Sequence, residues 1–158
     1  MDITIKKFAR ADTEAVMELL REFAEYEDLL QFLELTEERV ERAFFADGSV
    51  AEGLVAMADG KAVGYAFFFP NFASFRGQRG LYLEDIYITA SYRRYGIGEK
   101  MLREIARLAA SRGYERIDFL VLDWNESAIN FYKKLGAEMD QSERHFRFIN
   151  DAFKALAA

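Results

Sequence analysis

The sequence predicts an α/β domain on a mixed sheet, and three stretches carry that prediction. Residues 81–90 form an apolar, β-branched and aromatic run that reads as a buried strand. Next come Arg93-Arg94-Tyr95-Gly96-Ile97-Gly98, then Met101, Leu102, Ile105, Leu108 and Ala109 at helical spacing, then a second buried run over residues 117–122. Strand, glycine turn, helix, strand describes a parallel crossover, right-handed by the usual chirality. Upstream, apolar runs at residues 50–57 and 61–69 flank Ala58-Asp59-Gly60, and Asp-Gly between such runs marks a hairpin.

The remaining elements follow in order. Residues 2–8 alternate Ile3, Ile5 and Lys7 against Thr4, Lys6 and Phe8, a first strand. Asp12 is placed to cap a helix with Val16, Leu19, Leu20 and Phe23 on its core face, ending near Tyr26. Thr36 is placed to cap a short second helix with Val40, Ala43 and Phe44 inward. Pro70 is expected to end the second hairpin arm, leaving residues 71–80 as a polar, glycine-bearing loop. Gly113 stops the helix that begins at Gly96, and Gly136 closes a short helix over residues 127–135. A last strand is expected at residues 144–150, then a short helix or tail to Ala158. No repeat, low-complexity segment or linker interrupts this order, so residues 1–158 read as a single domain.

Composition narrows the chemistry. With 51% hydrophobic and 30% charged residues the chain is globular. It has no run long enough to span a membrane and no signal-peptide pattern at its start; with no cysteine either, a cytoplasmic location is expected. One histidine, His145, argues against a histidine-based metal site or a Ser–His triad, so no metal is expected. A formal net charge of −6 argues against nucleic acid and leans toward a cationic partner.

Two features point to a site. Glu84 and Asp85 stand side by side in the run at 81–90, where buried carboxylates are costly unless paired, hydrated or used. As strand neighbours they are expected on opposite faces, so only one enters a given cleft. The turn at 93–98 has the make-up of an anion cradle, with glycines, a helix N-terminus and two arginines at its mouth. From the turn alone, a tight connection and a phosphate site both remain open.

These residues resemble a known family. Arg93-Arg94-Tyr95-Gly96-Ile97-Gly98 is similar to the Arg/Gln-x-x-Gly-x-Gly/Ala signature of the GNAT superfamily of N-acetyltransferases. Gly80-Leu81-Tyr82-Leu83-Glu84-Asp85, and the stretch from Leu122-Asp123-Trp124-Asn125 through Phe131-Tyr132 to Leu135-Gly136-Ala137, resemble its diamine (spermidine/spermine) and thialysine acetyltransferase subgroup. The resemblance implies a mostly antiparallel sheet around the parallel crossover, with helices on both faces, and a homodimer. It implies acetyl-CoA as donor and direct transfer to a primary amine. The cofactor would lie on Arg93, Arg94, Tyr95, Gly96, Ile97, Gly98 and Glu99, along Ile86, Tyr87 and Ile88, and against Asn125, Glu126, Ser127 and Ala128. Tyr132 would be the general acid, Glu84 the acidic residue at the amine, and Tyr26 and Glu27 a substrate-contacting pair. Asp85 and Phe75 also belong to the expected substrate site.

The chemistry suits those residue types. An alkylammonium must lose a proton before it attacks, and a carboxylate can hold the cation and accept that proton. A departing thiolate needs a proton, which a phenol can donate. Ala128, Phe131, Tyr132 and Leu135 also fall on one helical stripe, which is the pattern of a core tyrosine, and Asn125 is equally placed as a helix cap. The sequence departs from the subgroup in two places. Phe75 stands where relatives often carry tryptophan, flanked by Arg76 and Arg79, cations that would repel a polyamine if they faced the amine. Glu143 is followed by Arg144 and His145 where relatives place acidic residues. Diamines or polyamines come first as substrates and lysine-like amino acids second. A non-catalytic acyl-CoA-binding or sensing module, and acetylation of a protein N-terminus or an aminoglycoside, are the alternatives.

Overall fold

The computed structural model describes residues 1–158, which divide into two compact units, Met1–Leu120 and Val121–Ala158. The first unit holds a five-stranded sheet in the order β1 (Ile3–Lys7), β2 (Glu52–Ala58), β3 (Lys61–Ala73), β4 (Gln78–Ile88) and β5 (Arg116–Phe119). Three pairings are antiparallel and the β4–β5 pairing is parallel, as a crossover through a helix requires. The β2–β3 turn places both Asp59 (φ 48°) and Gly60 (φ 81°) in the left-handed region, the geometry that Asp-Gly supplies in a two-residue hairpin.

Helices cover both faces of this sheet. On one face α3 (Ile97–Ser111) buries Ile97, Met101, Ile105 and Ala109 against Ala66, Phe68, Leu81 and Leu83. The Ile, Leu, Met and Phe side chains among these, buried so fully, are each worth about 1.5–3 kcal/mol. On the other face α1 (Thr13–Tyr26) and α2 (Glu37–Val40) bury Val16, Leu19 and Val40 with Val55, Tyr65 and Tyr87. A π-helical turn, Glu41–Phe45, extends α2 and brings Phe44 and Phe45 within 5.2 and 5.3 Å of Phe8.

Several expectations need correction. Thr36 does cap α2, accepting a hydrogen bond from the Arg39 amide at 3.2 Å. Asp12 does not cap α1: its carboxylate reaches back to the Ala9 amide (2.9 Å) and to Lys6 (2.6 Å), and so closes the 3-10 turn Arg10–Asp12. Pro70 does not end β3, which runs on to Ala73. Pairing with β2 stops at Phe68, so Pro70 lies where β3 is an edge strand on that side and a missing N–H is tolerated. The loop expected at 71–80 is therefore a tight turn at 74–77, with Gly77 at φ 62°. β5 closes three residues earlier than the apolar run suggested.

The second unit holds α4 (Glu126–Lys134) and α5 (Asn150–Ala157). Gly136 (φ 99°) ends α4 while the amides of Gly136 and Ala137 bond back to Lys133 and Tyr132. The strand expected at 144–150 is not formed. Phe146 and Phe148 alternate as a strand would, yet no neighbouring strand pairs with this segment and both rings are exposed (87% and 66%). Alternation without a ladder partner does not hold a strand.

Candidate active site

The site begins with an irregularity in β4. Phe67 pairs with Asp85 and Phe68 with Leu83, which leaves Glu84 as an extra residue with no partner on β3. The bulge reverses the phase of the strand. Before it Leu81 and Leu83 face the α3-side core; after it Ile86 and Ile88 do. Glu84 and Asp85 therefore both fall on the α1 side. The expectation that they point to opposite faces is wrong, because plain alternation does not survive a bulge.

On that face Asp85 is half-buried and accepts a hydrogen bond from the Tyr65 hydroxyl at 3.2 Å. Burial pushes its carboxyl up to about 7, the Glu84 charge adds to the rise, the Tyr65 bond opposes it and Glu27 adds a further upward push. Tyr65 is held well above the ordinary tyrosine value, first by burial and then by Asp85. Glu27, half-buried at the end of α1, is also raised by burial. Glu84 itself is exposed. Three carboxylates thus share one electrostatic neighbourhood, which favours a cation.

The edge of β4 opens at the same place. Its ladder with β5 runs from Gly80–Arg116 to Leu83–Phe119 and stops. From Glu84 through Ile86, Tyr87 and Ile88, β4 has β3 as its only strand neighbour. Main-chain groups on that edge are available to a ligand.

Beyond β4, a 3-10 turn, Ala90–Tyr95, leads to Gly96, whose φ of 73° turns the chain into α3. Lys100 N–H closes the first helical turn on Gly96 O at 3.1 Å, and Gly96 brings no side chain to cap the amides of Ile97, Gly98 and Glu99. The Glu99 carboxylate is drawn off to Arg103 (2.6 Å). Amide donors at a helix N-terminus suit a phosphate.

The two arginines expected at this mouth differ. Both are exposed, as is Tyr95. Arg93 turns back: its Nε donates to Ile88 O at 2.9 Å, and its guanidinium lies 4.5 Å from the Tyr26 ring and 5.4 Å from that of Tyr87. Phe75 is fully exposed in the 74–77 turn, whereas Glu84 sits at the bulge about 20 Å further along the ladder. Arg76 occupies the same exposed turn. Arg79 donates to the Tyr114 hydroxyl (2.9 Å) and covers its ring (4.7 Å), and Tyr114 packs on the α3-side core. Arg79 therefore does not face the carboxylates.

In the second unit Asn125 is buried and its side-chain oxygen accepts from the Ala128 amide at 3.3 Å, so the cap role holds. Glu126 and Ser127 are exposed in the first turn of α4, and Tyr132 is half-buried with its ring edge-on to Phe131 at 5.2 Å. Periodicity could not reveal the bulge, the Tyr65–Asp85 bond or the turn of Arg93. A pair of carboxylates inside an apolar strand was the one signal that something irregular lay there.

Comparison with known proteins bears on these features. The acetyltransferase (GNAT) family model matches residues 13–137. A thialysine N-epsilon-acetyltransferase of Bos taurus is 34% identical over 167 residues, spanning 98% of this chain and 97% of its own length. The spermidine/spermine N(1)-acetyltransferase-like protein 1 of Homo sapiens is 33% identical across 97% of this chain, which spans 23% of that larger protein. An integron cassette protein from V. cholerae shares the fold with a TM-score of 0.82 at 22% identity, over 99% of this chain and 98% of that one.

Proposed function

The chain belongs to the acetyltransferase (GNAT) family, and from that premise we propose that it moves an acetyl group from acetyl-CoA directly to a primary amine on a small cationic substrate. That it is an N-acetyltransferase rests on similarity to such enzymes over nearly the whole chain. The observation that carries the mechanism is the opening of β4 beside its bulge, where an unpaired strand edge and the Glu84–Asp85 pair occur within a few residues.

Bound acetyl-CoA supplies the thioester carbon that the amine attacks as the carbon–sulfur bond breaks. The uncapped amides at the start of α3, with Arg94 beside them, suit its pyrophosphate. The open edge at Ile86, Tyr87 and Ile88 suits an amide-bearing arm and a polarised carbonyl oxygen. Glu84, exposed on the carboxylate face, gathers the ammonium and takes its proton, with Tyr26 and Glu27 bounding the substrate. Tyr132 donates a proton to the departing thiolate, while Asn125 holds the turn that starts its helix.

The substrate class is a diamine or polyamine, or a lysine-like amino acid. Three carboxylates favour either, and the turning of Arg79 to the α3 side takes away one objection to polyamines. The thialysine relatives favour the lysine-like member. A second reading of the base has its own support: Asp85, with a carboxyl raised to about 7, is poised for proton transfer near neutral pH.

Thiol release from acetyl-CoA tests the proposal against putrescine, spermidine, spermine, lysine, thialysine, a short peptide and an aminoglycoside. A clear preference among the cationic small amines is expected. Silence on all of them with acetyl-CoA still bound, or preference for the peptide or aminoglycoside, overturns it. In the same assay Tyr132→Phe is expected to lower kcat by about 10²-fold or more with acetyl-CoA affinity nearly unchanged; equal turnover removes Tyr132 from the mechanism.

A further inference from the structure

Arg93 belongs by sequence to the turn before α3, yet its side chain serves another element. Nε is committed to Ile88 O at 2.9 Å, which fixes the start of the guanidinium group. The plane then stacks between aromatic rings, 4.5 Å from Tyr26 and 5.4 Å from Tyr87. Tyr26 is the last residue of α1, a helix whose final turn carries no basic residue of its own. Arg93 thus brings a cation onto the ring of the last residue of α1 from a distant part of the chain.

Other contacts reach the same stretch. The hydroxyls of Tyr87 and Thr89 both donate to Glu22 Oε2, at 3.1 and 2.8 Å, and Phe23 stacks on Tyr87 at 5.1 Å. The C-terminal half of α1 is therefore fastened to the end of β4 through Tyr87, Thr89 and Arg93. Glu27 follows directly after Tyr26, and its charge already reaches Asp85. Whatever fixes Tyr26 fixes where Glu27 stands.

We propose that Arg93 is a positioning residue for the amine side of the site: by stacking on Tyr26 it holds the end of α1, and with it Glu27, against the β4 carboxylates. The inference rests on the amine-acetyltransferase reading above, and its test separates the two. In the full-length enzyme, Arg93→Ala is expected to raise KM for the preferred amine about 5–10-fold while Kd for CoA stays within about twofold. Tyr26→Leu, which also alters the substrate wall, raises that KM by itself, and adding Arg93→Ala to Tyr26→Leu raises it no further.

Where an amine is acetylated, either of two kinetic results overturns the proposal. One is loss of CoA affinity in Arg93→Ala with the amine KM unchanged, which makes the side chain a cofactor contact. The other is full additivity of the two changes. If no amine in the panel is acetylated, the function proposal fails while this one is still readable. Backbone amide exchange over residues 22–27 is then expected to be about 2–5-fold faster in Arg93→Ala than in the parent chain, and equal exchange rates overturn it.

Discussion

The two halves of β4 are one strand in two conditions. From Gln78 to Leu83 it is hydrogen-bonded between β3 and β5, alternates regularly, and buries Leu81 and Leu83 under α3. From Glu84 to Ile88 it has one strand neighbour, begins with a bulge, and carries two carboxylates on the α1 side. The first half is satisfied by the protein itself. The second keeps main-chain groups and charge that a ligand would satisfy. The bulge is the joint between them, and it changes which face each later residue occupies.

Deleting Glu84 is the sharpest way to break that comparison. The register already pairs Leu83 with Phe68 and Asp85 with Phe67, so removing the extra residue leaves a continuous ladder with every later side chain on its present face. The deletion is expected to fold, with a Tm within a few degrees of the parent, and to lose about 10³-fold or more in kcat/KM. A deletion that unfolds the chain, or one that keeps full activity, contradicts the division. Next in size is Leu81→Ala, in the half that the protein satisfies. Leu81 is fully buried, and the change is expected to cost about 2–5 kcal/mol by denaturant unfolding, with kcat per folded molecule changed far less. A stable variant with low kcat would mean that the first half also carries chemistry.

How much of this was legible in the sequence follows the same joint. The crossover, the hairpin at Asp59-Gly60 and the core stripe of α3 were readable because period and turn chemistry are local. The glycine turn and the Glu84–Asp85 pair were readable as candidates for the same reason. What was misread depends on pairing. Pro70 looks like a stop until β2 is seen to end at Phe68, residues 144–150 look like a strand until no partner is found, and Glu84 and Asp85 look opposed until the register shows the bulge. The glycines at 96 and 98 that follow Arg93 suggest a phosphate site but say nothing of where its side chain turns. One of the rings it covers, that of Tyr26, lies far from it in sequence and could not be read from the turn.

The smallest expected effect is the most informative about the second half of β4, because its sign is fixed. Asp85 binds its proton more tightly in the folded chain, with a carboxyl at about 7, than in the unfolded chain, where it is near 3.9. Between these values the native state holds the extra proton, so this group lowers stability as pH rises from about 4 to 7, and above 7 the cost is full. Asp85→Asn removes the charge while keeping a partner for Tyr65. It is expected to raise stability by about 1–2 kcal/mol at pH 8, a value kept well below the whole shift because the group is only half-buried, and to change little at pH 4. Activity separates the two carboxylates. If Asp85 is the proton acceptor, kcat/KM of the parent rises through about pH 7, and Asp85→Asn loses both the rise and most of the rate. If Glu84 is the acceptor, Asp85→Asn keeps most of its rate and Glu84→Gln loses it, most severely at low pH. A stability gain at pH 8 together with retained activity would make Asp85 a destabilising neighbour that tunes the amine site rather than the group that takes the proton.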